Sequence, residues 1–134
     1  MTASTATDFF AKTAERRIAP INGLEQWGLT FCMRSMTARE KDEFEASVLN
    51  DDLTKVDDER LKTAKARLVV ECVCDDKGTL LFGTKDVERV RDSDSKALEI
   101  IHSQIDSHVG FNRGDLEKLV KNSGAVRAAS SPSS

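Results

Sequence analysis

Aromatic residues are scarce in this chain: there is no tyrosine and one tryptophan, Trp27, and aromatics make up 5% of its 134 residues. A core must therefore rest on Leu, Val, Ile and the six Phe. No uninterrupted apolar run reaches the roughly 18 residues that a bilayer-spanning helix needs, so no membrane partner is expected. The opening MTASTATDFF lacks a basic region followed by an apolar one, so export by a signal peptide is not expected either. Cysteine is limited to three residues, an odd number that suits a reducing cytoplasm better than a disulfide framework. Clustered positive charge is missing as well. A formal charge of −3 and a pI of about 5.4 argue against general nucleic-acid binding, which needs Lys and Arg grouped to displace phosphate counterions.

Chemical constellations are equally thin. Cys72 and Cys74 are two apart, about 200° around a helix, and lack the paired C-x-x-C spacing of a zinc site; on a strand they would share a face. His102 and His108, six apart, point about 240° from each other on one helix and do not converge on a metal. No G-x-G-x-x-G or phosphate-loop pattern occurs, and no cysteine sits in a nucleophile motif. The carboxylates lie where helix starts and exposed faces want them. No catalytic residue, cofactor or metal is expected, and a binding module is the reading left.

What is present is a set of short amphipathic elements around a small β element. Residues 1–7 are small and polar and are expected to be disordered. Phe9 and Phe10 interrupt that tract, either as a staple onto the domain or as a docking segment for a partner. Residues 16–22, RRIAPIN, suit an extended edge segment because of Pro20, and Asn22-Gly23 is a turn dipeptide. Trp27, Leu29, Phe31 and Met33 then alternate with Gly28, Thr30, Cys32 and Arg34, which predicts a half-buried strand over 27–34.

Helices follow. Thr37 and Glu40 form a capping box that predicts a helix over 38–49, with Phe44, Val48 and Leu49 on a thin, peripheral face. A second helix starts at Asp57 or Asp58 and runs through about residue 70, with LVVECVC open to either helix or strand. Asp75-Asp76-Lys77-Gly78 before Thr79–Phe82 makes a hairpin possible there. Thr84 is expected to cap a short helix carrying Val87 and Val90. The longest apolar stripe is Leu98, Ile101, Ile105 and Val109 with Ala97, on a helix over 95–109 ended by Gly110. This stripe is either core or a partner-binding surface. Asn112 and Asp115 predict a last helix over 113–121, and residues 123–134 read as a disordered tail. The fold class expected is mainly α (α+β): one small helical domain over 8–122, with a short N-terminal β element and disordered termini.

The order of these elements resembles the tail assembly chaperones of long-tailed bacteriophages. A Trp-bearing strand running into R-x-M/L-T-x-x-E-R/K-D-x-F/W-E is matched by Trp27 and by RSMTAREKDEFE at 34–45. Further matching segments are KARLVV at 65–70, CDDKG at 74–78 with Leu81-Phe82, Asp86-Val87-Glu88 with SKAL at 95–98, and DLEKLVKN at 115–122. The resemblance covers roughly 8–122 and departs at Arg91–Asp94, where relatives approach the next helix more smoothly. It implies a non-enzymatic protein of the infected bacterial cytoplasm, absent from the finished virion. Such a protein coats the tape-measure protein, keeps it soluble and recruits major tail tube protein subunits. Self-association and a longer frameshifted product are also compatible with it. Partner contacts are expected from Leu98, Ile101, Ile105, Val109, Phe9 and Phe10. Two other classes stay open: a structural tail connector or completion subunit retained in the virion, and a thiol-dependent enzyme.

Overall fold

The computed structural model describes residues 2–110. The helix expected over 113–121, its Asn112 and Asp115 cap and the tail 123–134 lie outside the described residues. Within them the architecture is mainly helical with one small antiparallel sheet, as the sequence pattern predicts. The elements are α1 (Ala6–Thr13), β1 (Ile18–Pro20), a 3-10 turn (Glu25–Trp27), β2 (Cys32–Arg34), α2 (Ala38–Ser47), α3 (Asp58–Cys72), β3 (Val73–Cys74), a second 3-10 turn (Thr84–Asp86), α4 (Val87–Arg91) and α5 (Ser95–Val109).

Local chemistry sets the helix starts. The Thr37 hydroxyl accepts the Glu40 amide at 3.1 Å while Glu40 Oε1 accepts the Thr37 amide at 2.9 Å, so two orphan donors of α2 are satisfied reciprocally. Asp57 caps α3 by accepting from the Arg60 amide at 3.0 Å. Asp94 caps α5 through the Lys96 and Ala97 amides, and Gly110 ends it in the left-handed region at φ 85°. Ahead of α4 the expected Thr84 cap is not formed. Gly83 leads into the turn instead, and Asp86 Oδ2 takes the Gly83 amide at 2.8 Å.

The sheet order is β1-β2-β3, both pairings antiparallel. Pro20 sits on the edge strand, where its missing N–H costs no ladder bond. The strand expected over 27–34 shrinks to Cys32–Arg34. Gly28 adopts φ 65° and donates its N–H to Glu25 O, which winds residues 25–27 into a 3-10 turn before the chain can extend. Of the alternating set only Met33 is buried; Trp27 and Phe31 pack half-buried against the core, and Leu29 is exposed. Leu24, just ahead of the 3-10 turn, is the residue of this segment most deeply buried, at 1% exposure. LVVECVC resolves as both alternatives in sequence: helix to Cys72, then strand. The hairpin closes through the Asp75–Thr79 turn, with Cys74 bridged to Leu80.

The second half of α3 forms the centre of the core. Ala64, Ala66, Leu68, Val69, Val70 and Cys72 are all buried, with α4 and α5 packed against the helix and α5 also against β2. α2 delivers Phe44, and the residues just after it, Val48 and Leu49, are buried too, so that short face contributes more than its thinness suggested.

Candidate partner-binding surfaces

The α5 stripe faces inward. Ile105 is fully buried and Ile101 nearly so, while Leu98 and Val109 are partly buried against the same cluster. The helix is also pinned from its flank. Gln104 Oε1 accepts the Asn22 amide at 2.9 Å and its Nε2 donates to Asn22 O at 2.8 Å. Arg17 Nη2 donates to His108 O at 2.9 Å, and His108 Nε2 lies 3.0 Å from Arg17 O. In this conformation Ile101 and Ile105 offer almost no surface to a partner.

Phe9 and Phe10 are placed in the opposite situation. They lie on α1, a helix with no buried residue, and are 61% and 66% exposed. Their rings meet edge to face with centroids 5.5 Å apart. The helix starts inside the tract expected to be disordered, because Thr5 and Asp8 form a second capping box: the Asp8 amide reaches Thr5 Oγ1 at 3.1 Å and the Thr5 amide reaches Asp8 Oδ2 at 2.9 Å. Those hydrogen bonds, the backbone one first, hold the Asp8 carboxyl below its ordinary range. A T-x-x-D pattern before an aromatic pair was the signal that could have found α1. The two phenylalanines are therefore presented on a helix and do not staple the N-terminus to the domain.

A charged cleft of about 310 Å³ lies between β2, α2 and α3, with Leu80 on its wall. Arg67 stacks over the Phe44 ring at 5.4 Å and donates to Ser47 Oγ at 2.8 Å; Arg34 lies across from it. Glu40, Glu43 and Glu71 supply negative charge. Burial pushes the Glu71 carboxyl up, opposed by the Arg67 charge. Elsewhere on α5, His102 Nδ1 and Asp106 Oδ2 approach to 3.3 Å; burial raises Asp106 to about 6 and lowers His102. Burial also pushes the Cys72 thiol up to about 12, which leaves it almost wholly protonated and a poor nucleophile at neutral pH.

Among the described residues no group of three or more His, Cys, Asp or Glu is placed to hold a metal ion, and no helix is long and apolar enough to cross a membrane. No protein-family model matches the chain, and no curated protein matches it. Among solved structures, the bacteriophage HK97 tail assembly chaperone is similar in fold, with a TM-score of 0.54 at 18% identity. The match covers 78% of this chain and 98% of that one. At this identity the likeness is one of fold: a distant, tail-chaperone-like arrangement of helices and small sheet.

Proposed function

We propose that this chain is a non-enzymatic phage tail assembly chaperone that binds the tape-measure protein. It acts in the cytoplasm of the infected host, keeps that partner soluble and helps bring major tail tube protein subunits to it. It is absent from the mature virion. The observation that carries this reading is the fold likeness to the HK97 tail assembly chaperone across nearly all of that chain. The order of the matching segments from Trp27 to Lys96-Ala97-Leu98 agrees with it.

Partner contact is assigned to Phe9 and Phe10. A tape-measure protein is a long amphipathic rod whose apolar stripe aggregates unless covered, and an exposed aromatic pair on a short helix supplies matching apolar surface. Many copies along one rod, touching one another or not, give avidity without tight single sites. Leu98 and Val109 join the contact only at their exposed margins.

Composition of purified particles together with co-purification tests the proposal. The chain should co-purify with the tape-measure protein from infected cells and be missing from purified virions. Its presence in virions at a fixed copy number would favour a connector subunit instead. Failure to co-purify with the tape-measure protein at any stage would overturn the chaperone reading.

A further inference from the structure

Cys32 and Cys74 are directly opposed residues of the β2–β3 ladder. In an antiparallel pair, opposed side chains leave the sheet on the same face, with Cα atoms roughly 4.5–5.5 Å apart. That separation lies inside the span of roughly 4.4–6.8 Å that a disulfide bridges. Cys72 is placed differently. It is the last residue of α3 and belongs, with Val73, to the main core cluster, whereas Cys74 lies outside that cluster. All three thiols are free, Cys32 is partly exposed, and the other two are buried.

We infer that Cys32 and Cys74 form a reversible dithiol site, closed to an intramolecular disulfide by a small disulfide oxidant and reopened by thiols. The exposed partner reacts first. The Cys32 thiolate attacks one sulfur of oxidised glutathione, making a mixed disulfide and expelling one glutathione thiolate. The Cys74 thiolate then attacks the Cys32 sulfur and expels the second. The two cysteine protons end on the two glutathione thiols, so two cysteines are oxidised as one glutathione disulfide is reduced. Burial holds the Cys74 thiol up, which makes the second step the slower one. Opposed Cβ atoms lie roughly 4.5–5.5 Å apart, wider than the ~3.5–4.5 Å of a relaxed bridge. Closing the bridge draws the strands together, and a bridge under such tension is readily reduced. The closed form joins the central strand to β3, enclosing α2 and α3 in a covalent loop, so it should also melt higher, by less than an unstrained bridge of that span would give.

The test is incubation of the folded full chain with oxidised glutathione, followed by acid quench, trypsin and fragment-ion mass spectrometry. The expected product joins the peptide spanning 18–34 to the one spanning 68–77, lighter by the two hydrogens lost. Fragment ions should place the bridge on Cys74. Cys72→Ala should still close the bridge, and Cys74→Ser should stop at a glutathione adduct on Cys32. Dithiothreitol should restore the starting mass and melting temperature. A bridge mapped to Cys72 in the wild-type chain, a persistent glutathione adduct on Cys32, or no reaction before denaturant is added would each overturn the assignment.

Discussion

Arg16 places Nη1 and Nη2 on the two oxygens of Glu40 at 2.6 and 3.0 Å, and Nη1 also reaches Ser35 O at 3.2 Å. Glu40 meanwhile closes the capping box of α2, so one carboxylate ties the chain before β1 to the start of that helix. The Arg16 hydrogen bond, more than the Thr37 amide, holds Glu40 below its ordinary value. A depressed folded-state pKa stabilises the fold above the ordinary value of about 4.5, and that contribution is lost as pH falls through the lower folded one. Because Glu40 is more than a third exposed, solvent screening limits the pair to at most about 1 kcal/mol. Arg16→Gln should therefore lower stability by up to that amount near pH 7 and have progressively less effect as pH falls below about 4.5, read from urea melts. Asp106 carries the opposite sign. Burial raises its pKa to about 6, so its ionisation weakens the fold as pH rises from the ordinary value of about 4 to about 6. Asp106→Asn should flatten that segment of the melting-temperature profile and raise stability above it. A loss of stability at neutral pH would show that the His102 contact outweighs the cost of burying the carboxylate.

At the scale of elements, α1 and α5 divide the two apolar features that the sequence offered as binding surface. α5 is core: Ile105→Ala should cost about 2–5 kcal/mol in chemical denaturation, since the site is fully enclosed. α1 contributes no buried residue, so Phe9→Ala and Phe10→Ala should each shift stability by no more than about 0.5 kcal/mol. Removing residues 2–13 should likewise leave the melting temperature nearly unchanged. α2 was legible in the sequence through its Thr37–Glu40 capping box, and α5 through its apolar period and the closing Gly110. The strand over 27–34 was over-read because alternation alone does not register a turn. Gly28 in the left-handed region takes Trp27 and Leu29 out of the strand, and only Met33 of the alternating set is buried. Whether the α5 stripe faced core or partner was not decidable from spacing, since both uses need the same period; packing against α3 and β2 settles its direction.

Over the whole molecule, the small sheet, the capped helix α2, the central helix α3 and the helix over 95–109 were readable, and the described chain has a fold like that of a tail assembly chaperone. The pairing of Cys32 with Cys74 and the walls of the Arg34–Arg67 cleft were not, because they join segments some 30 to 40 residues apart through sheet register and helix packing. The function proposed above requires the exposed aromatic helix α1 to keep a tape-measure protein in solution. Co-expression with the proposed tape-measure partner, followed by measuring the fraction of that protein left in the supernatant, is the decisive measurement. Most of that protein should stay in the supernatant with the wild-type chain, and pellet with a Phe9→Ala, Phe10→Ala double variant whose melting temperature is unchanged. Equal pelleting with and without the wild-type chain would contradict the chaperone function, and full protection by the double variant would contradict the placement of its contact on α1.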